Sequence, residues 1–306
     1  MSLNAQRLLS LYDKLRDLPL KLLDVIPSLH GSSVTTSIPS RENEPIKFNA
    51  SGVELTIDEI TPLVEKSIVA LKVVDRILSC PFCHNTSLRL KIYCPYCGSI
   101  DVILTRIVQH TLCGYTGLEI EFSRLEWRCP GCNTSVRKDV DLAIVGKTFY
   151  CNACGKRITR PLLKLSCLSC GNEFDVEDAK SIPVYSVSLT EEGVEAKLMA
   201  VDLLVGSLRA FEDRGEYCEV LPKIGDRLVS GIGGGTCIDV ADMVTESSAI
   251  EFSAKASDVR GRCSSYVVVA RKFSGRSRSI LALAGVKAFE VFKASEAYAM
   301  FSKEVK

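Results

Sequence analysis

Histidine and tryptophan are scarce in this chain, with three His and one Trp among 306 residues. No apolar run approaches the roughly 18 residues that a membrane-spanning helix needs, so a protein without membrane contact is expected. The opening stretch MSLNAQRLLSLYDKLRDL interrupts its leucines with charges from Arg7 onward. It lacks the apolar core and small-residue cleavage site of a secretory signal, and a cytoplasmic protein is the expectation. Charge of one sign is missing too: 38 Lys and Arg face 37 Asp and Glu, a net charge of +1. The chain as a whole therefore carries no basic signature of nucleic-acid binding. An apolar share of 46% and a charged share of 25% are those of a globular protein and exclude a wholly disordered one. The length corresponds to about two domains of roughly 150 residues each.

Cysteine is what the chain has in excess. Eleven of its 14 cysteines fall between Cys80 and Cys170, and the other three, Cys218, Cys237 and Cys263, are scattered without a paired spacing. Disulfides are disfavoured in a reducing cytosol, and close Cys-x-x-Cys pairs in such a chain read as metal knuckles.

Three sections follow from the texture of the chain, and together they predict an α+β protein. Residues 1–78 read as an N-terminal helical region. Leu8, Leu11, Leu15 and Leu18 recur at helical spacing,. Residues 31–52, rich in Ser, Thr, Pro, Asn and Glu, read as a flexible connection,. A second helix is expected after Asp58 or Thr61, with Ile60, Val64, Ile68, Leu71, Val74 and Leu78 on one face,. Such a stripe serves core packing or, as an alternative, a homodimer contact through these helices. Residues 79–180 form the cysteine-rich section, with short β-like runs. Residues 181–306 read as a mixed α/β domain. It opens with a helix over 191–213, followed by strands near 217–221, 237–244, 249–254 and 266–271. Helices over 277–283 and 294–305 then flank a strand at 288–292.

Five knuckles are plain: Cys80/Cys83, Cys94/Cys97, Cys129/Cys132, Cys151/Cys154 and Cys167/Cys170. Ten thiolates do not divide by four. His110-Thr-Leu-Cys113 supplies a sixth knuckle and brings the ligands to 12, enough for three tetrahedral zinc ions,. The residue after each second ligand is His84, Gly98, Gly114, Asn133, Gly155 or Gly171. A knuckle turns its backbone N–H groups toward the thiolates through a residue with φ > 0. Gly adopts that conformation freely, and Asn and His are enriched there. His84 is thus a turn residue rather than a competing ligand. Sequential pairing joins Cys80/Cys83 with Cys94/Cys97, His110/Cys113 with Cys129/Cys132, and Cys151/Cys154 with Cys167/Cys170. Interleaved pairing stays open on spacing alone. Each site is fully protein-ligated and hence structural rather than catalytic. The stretch from Ser79 to Asp175 holds 12 basic and eight acidic residues. Three metallated sites bring that balance to about −1, so nucleic-acid contact here needs local patches such as Arg137/Lys138 or Lys156, Arg157 and Arg160.

The order Cys-Pro-x-Cys-Gly-Ser-Ile-Asp, His110-Thr-Leu-Cys113-Gly-Tyr-x-Gly-x-Glu-x-x-Phe, Cys129-Pro-x-Cys132, Cys151-x-x-Cys154-Gly and Cys167-x-x-Cys170-Gly resembles the thaumarchaeal output domain, an archaeal zinc-ribbon family. The resemblance covers about residues 79–190 and implies zinc binding and an archaeal origin. No receiver-domain pattern is recognisable ahead of the ribbons, which argues against a phosphorelay role.

The element order after Glu191 resembles a restriction-endonuclease-like core, carried by Cys237-Ile-Asp239-Val-Ala, Ala249-Ile-Glu251-Phe-Ser253 and Tyr266-Val-Val-Val-Ala-Arg-Lys-Phe-Ser274. In such enzymes two carboxylates hold Mg²⁺ and a lysine polarises the attacking water. The resemblance makes Asp239, Glu251 and Lys255 the candidates. The expected lysine position holds Ser253, and Lys255 lies one pleat further along the expected strand; the simpler expectation is a non-catalytic fold. Gly231-Ile-Gly-Gly-Gly-Thr236 lacks the Lys-Ser/Thr of a phosphate loop and reads as a hairpin connection. Lys255, Arg260, Arg262, Arg271, Lys272, Arg276 and Arg278 crowd one stretch with Asp258 as its one acid, a candidate phosphate-contacting surface.

Three functions follow as expectations. The first is a zinc protein that binds nucleic acid, DNA in the first instance. The second is a protein-interaction or signalling adaptor built on the ribbons. The third is a Mg²⁺-dependent nuclease, the one reading that needs magnesium beside zinc.

Overall fold

The computed structural model describes residues 3–29, 34–37, 39–41, 44–50, 52–224 and 226–303. The chain divides into two compact units. One comprises Met1–Pro39, Pro45–Arg76 and Pro183–Lys306, and the other Ser40–Glu44 and Ile77–Ile182. The N-terminal section therefore shares a unit with the C-terminal section. Among the described residues, no helix is long and apolar enough to cross a membrane.

The first unit is built on a five-stranded sheet. Its strands lie in the order Cys218–Val220, Gly231–Gly233, Thr236–Val244, Ser265–Phe273 and Lys287–Glu290. The first three run antiparallel and the last three parallel. Parallel neighbours need a crossover. The helices Glu246–Val259 and Ser277–Leu283 provide the two crossovers. Strand Ser265–Phe273 is buried from Tyr266 to Arg271, as the continuous Val-Val-Val-Ala run of a strand covered on both faces predicts.

Helix Val201–Glu212, with ten of its residues buried, lies against the sheet. Its approach depends on glycine. A Cβ added at Gly233 would sit 2.5 Å from Phe211, and one at Gly206 would sit 2.2 Å from the carbonyl oxygen of Ala294. The segment 231–236 is indeed a hairpin. Gly234 and Gly235 turn it at φ 54° and 81°, the double left-handed conformation of a two-residue turn. Leu11, Leu15 and Leu18 are buried, so most of the N-terminal leucine stripe is consumed in packing.

Four sequence expectations are corrected here. Residues 31–52 are not simply a flexible connection: Val34–Thr36 pairs with Lys47–Ala50, which pairs with Val53–Thr56. Residues 30–33, 38, 42–43 and 51 of that neighbourhood lie outside the described residues. The expected helix through Leu78 stops early. Thr56 and Glu59 close a capping box on helix Ile57–Glu65, Ser67 turns at φ 60°, and Val69–Ser79 is a strand. Its Val and Ile residues favour extended backbone. The segment 249–254 is not a strand but lies inside helix Glu246–Val259, capped by Thr245 and Ser248. The expected helix over 191–213 forms as two, Glu191–Leu198 and Val201–Glu212, broken at Ala200 with φ 51°.

The second unit runs out and back. Strand Leu88–Tyr93 pairs antiparallel with Leu162–Cys167, and Val102–His110 pairs antiparallel with Leu142–Cys151. The short strands Glu173–Asp175, Thr116–Leu118 and Arg157–Ile158 widen these ladders into sheets of three and four strands. Helix Glu119–Arg124 lies in the segment joining the outward and returning arms.

Candidate metal centres

Six knuckles repeat one local structure. In each, the N–H four residues after the first ligand donates to that ligand's carbonyl, for example His84 to Cys80 at 3.0 Å and Gly114 to His110 at 2.8 Å. The first ligand's own N–H donates to the carbonyl five residues on, as Cys129 does to Thr134 at 2.9 Å. The residue that closes each turn has positive φ: His84 60°, Gly98 71°, Gly114 74°, Asn133 57°, Gly155 72° and Gly171 76°. Every position assigned to that role from the sequence adopts it, including the one after Cys113. His84 is a turn residue, with Nδ1 3.4 Å from Lys180 Nζ.

The knuckles assemble into three tetrads: Cys80, Cys83, Cys167 and Cys170; Cys94, Cys97, Cys151 and Cys154; and His110, Cys113, Cys129 and Cys132. Only the innermost follows the sequential pairing. The other two are nested around it, first knuckle with last and second with fifth. The ladders cause this: pairing Leu88–Tyr93 with Leu162–Cys167 brings together the knuckles at both of its ends, and the next ladder does the same one step further in.

The geometry fits zinc. Sulfurs bound at about 2.3 Å around a tetrahedral ion lie about 3.8 Å apart. Cys80 and Cys170 are 3.7 Å apart, Cys83 and Cys167 3.5 Å, Cys94 and Cys154 3.7 Å, Cys97 and Cys151 3.6 Å, and Cys113 and Cys129 3.6 Å. His110 Nδ1 lies 3.1 Å from Cys113 Sγ and 3.5 Å from Cys132 Sγ. Three tetrads are thus arranged to hold three ions. Four soft or imidazole donors apiece are the ligand sets of structural zinc and leave no position for water.

Burial and polarity divide the ligands. Cys80, Cys94, His110, Cys129, Cys151 and Cys167, the first of each knuckle, are buried, whereas Cys97, Cys113, Cys132 and Cys170 are exposed. Each tetrad has a small apolar surround: Leu165 and Phe174 at one, Ile158 with Val102 and Phe149 at the next, and Val108, Phe122 and Val136 at the innermost. The Thr134 hydroxyl, 3.3 Å from Cys132 Sγ, and the Thr134 backbone N–H pull the Cys132 thiol down to about 6. That favours the thiolate, which is the form that binds metal.

The model of the Thaumarchaeal output domain 1 family matches residues 33–189, just over half of the chain. The chain belongs to this family. The match begins well before the first knuckle, so the thaumarchaeal output domain takes in the Val34–Thr56 sheet and helix Ile57–Glu65 as well as the ribbons. Nothing among curated proteins matches this output-domain chain. A solved structure, the apo form of EndoMS, aligns over 85% of this chain and 98% of its own at 11% identity and a TM-score of 0.21. A superposition that loose carries no argument about fold or activity.

The remaining candidate residues lie in the first unit. Asp239 is 2% exposed, and four donors surround its carboxylate. The Ser230 backbone N–H and hydroxyl donate to Oδ1 at 2.8 and 2.9 Å. Lys255 Nζ donates to Oδ2 at 3.0 Å, and the Tyr266 hydroxyl donates to the same oxygen. Lys255 therefore reaches Asp239 from the crossover helix rather than from a strand. Glu251 stands exposed on that helix, so the three candidates do not converge as a pair of carboxylates with a lysine.

The seven-residue basic stretch does not form one surface either. Arg271 is buried and bound to Asp202 and Asp242. Lys255 is held by Asp239, and Arg278 by Glu290. Arg260 donates to the Ala284 carbonyl at 3.2 Å, while Arg262, Lys272 and Arg276 remain exposed.

The expected patch of Lys156, Arg157 and Arg160 belongs to a longer basic segment that also takes in Lys147 and Lys164. Residues 142–172 contain Lys147, Lys156, Arg157, Arg160 and Lys164 and no acidic residue at all, a signal that averaging over the whole ribbon section conceals. Arg157 is paired with Glu121, and Lys164 lies 3.9 Å from Asp175. Lys147, Lys156 and Arg160 are exposed and face no carboxylate among the described residues. By contrast, Arg137 and Lys138 of the other expected patch are taken up by Asp141 and Glu119.

Proposed function

We propose that this output-domain protein binds nucleic acid through the ribbon hairpin carrying Lys147, Lys156 and Arg160, with zinc fixing the shape of that hairpin. The supporting observation is the placement of Lys156, whose ammonium lies 4.6 Å from the centre of the Tyr96 ring. Tyr96 is 58% exposed, and the two residues belong to the paired knuckles of one metal centre. A cation beside an exposed aromatic ring suits a phosphate next to a stacked base. Cross-strand pairing sets Lys147 opposite Arg106, whose charge is shared with Glu119 at 3.6 Å.

Catalysis is not part of this proposal. The four donors on Asp239 occupy the lone pairs that a magnesium ion would need.

Salt-titrated fluorescence anisotropy on a single-stranded and a duplex oligonucleotide tests the reading. About three phosphate contacts give a log–log salt slope near −2.7, roughly a 40-fold loss of affinity between about 50 and 200 mM salt. Reversing Lys147, Lys156 and Arg160 to Glu abolishes binding while the zinc content stays at three ions. Binding that ignores salt or survives the triple reversal overturns the proposal. That result would favour the adaptor reading, in which Leu104, Ile144 and Val145, each more than half exposed on the same sheet, meet a partner protein.

A further inference from the structure

Two cysteines outside the metal centres lie together. Cys237 opens the central strand Thr236–Val244, and Cys263 follows the crossover helix Glu246–Val259. They are joined as a disulfide with Cα atoms 5.7 Å apart, inside the usual range for such a bond. Nothing in their spacing of 26 residues announces the pair. It forms because parallel pairing sets Cys237 directly beside Tyr266, three residues beyond Cys263.

The two sulfurs are not equally accessible. Cys237 is fully buried within the apolar core of the sheet. Cys263 is half-buried and lines an open cavity of about 140 Å³ together with Arg260, Ser264, Ser265, Tyr266 and Gly285. With about 30 Å³ per liquid water molecule, that space admits the thiol end of a small molecule and not a folded protein. Arg260 adds an exposed guanidinium to its rim.

We propose that Cys237–Cys263 is a thiol-exchange site addressed at Cys263 by a small anionic thiol. The incoming thiolate attacks the Cys263 sulfur along the bond axis and forms a mixed disulfide there. The Cys237 sulfur leaves with the electron pair and is protonated. A second small thiolate then attacks the outer sulfur of the mixed disulfide, releasing a small-molecule disulfide and the Cys263 thiolate. The small thiol is the reductant and the protein disulfide the oxidant, and the reverse sequence restores the bond. Arg260 draws the anion in, while burial of Cys237 makes it a poor leaving group, so exchange is slow.

The crossover helix is what this bond restrains. Its closure ties the helix end to the start of the central strand, and the same helix holds Lys255 against Asp239. Reduction frees residues 260–264 and loosens the helix that precedes them.

Glutathione serves as the probe, applied to the full chain loaded with zinc. After equilibration with oxidised glutathione, alkylation in denaturant and chelator without reductant should label 12 of the 14 cysteines, sparing Cys237 and Cys263. In Cys237→Ser, oxidised glutathione should form a stable adduct on Cys263. In Cys263→Ser, the buried Cys237 should form none. Cys218 is the internal control, a half-buried thiol that burial raises to about 11. Arg260→Ala should slow adduct formation roughly two- to tenfold at low salt, with the difference fading as salt rises. Reduced glutathione should speed hydrogen exchange in residues 246–264 of the unmutated chain without releasing zinc. Alkylation of both Cys237 and Cys263 after the oxidising equilibration overturns the proposal. So does an adduct that forms on Cys237 as readily as on Cys263. The count on the unmutated chain decides the matter even where a variant folds poorly.

Discussion

Cys80 and Cys170 are 90 positions apart in the chain, and their sulfurs lie 3.7 Å apart. The contact closes the outermost of three metal centres and sets the order of the other two. Once the first knuckle meets the last, antiparallel pairing of the strands between them leads inward, to Cys94 with Cys154 and then to His110 with Cys113, Cys129 and Cys132.

Acid release of zinc should expose the hydrogen bonding of Cys132. The Thr134 hydroxyl and N–H lower its thiol, and zinc competes with the proton for the same thiolate, so the ion is held at neutral pH and lost on acidification. Thr134→Val removes the hydroxyl and keeps the N–H. The thiol then keeps its proton to higher pH, and one of the three ions should leave at a higher pH than in the unmutated protein. A chromophoric chelator followed through a pH series measures this. An unchanged release profile would show that the hydroxyl does not tune the site.

The buried pair Arg271–Asp202 should be costly to break from one side. Its side chains are 5% and 0% exposed, and Arg271 also donates to Asp242 and to the Lys197 and Phe292 carbonyls. Burial pushes the Asp202 carboxyl above the usual range, against the pull of the guanidinium. Arg271→Met leaves that carboxylate without its partner and should destabilise the first unit by about 3–5 kcal/mol in urea denaturation. Adding Asp202→Leu should recover a large part of the loss. A single variant within about 0.5 kcal/mol of the unmutated protein would contradict this.

Gly206→Ala offers a sharper test because two effects have opposite signs. In an open helix interior the exchange stabilises by roughly 1 kcal/mol. Here the new Cβ would lie 2.2 Å from the Ala294 carbonyl oxygen, in backbone that cannot swing aside as a side chain can. Net destabilisation of about 1–3 kcal/mol is expected, read as a lowered denaturation midpoint. A raised midpoint would mean that helix Val201–Glu212 does not approach Ala294 so closely.

What could be read from the residues was local. The knuckles, the sixth ligand pair at His110 and Cys113, and the left-handed residue after each second ligand all follow from spacing and from the conformational freedom of Gly, Asn and His. Pairing of the knuckles could not be read that way, because gaps of ten to 15 residues suit a hairpin as well as a longer return. The choice is made by ladders between residues far apart in the chain, such as Leu90 with Leu165. The misread segments failed for a related reason. Ala249-Ile-Glu-Phe-Ser-Ala alternates like a strand, yet two parallel strands on either side require a crossover, and Thr245 caps it as a helix. Residues 60–78 carry a helical apolar stripe, but Ser67 breaks it and a β-branched run follows. In the basic stretch from Lys255 to Arg278, composition could not show that Arg271 points into the core.

Zinc content measured by elemental analysis on three double variants tests the nested arrangement most directly. Cys80→Ser with Cys170→Ser strikes one centre and should leave two ions per chain. Cys94→Ser with Cys154→Ser should likewise leave two. Cys80→Ser with Cys94→Ser strikes two centres and should leave one. Sequential ribbons predict the opposite: one ion in each of the first two variants and two in the third. That result would contradict the architecture described above.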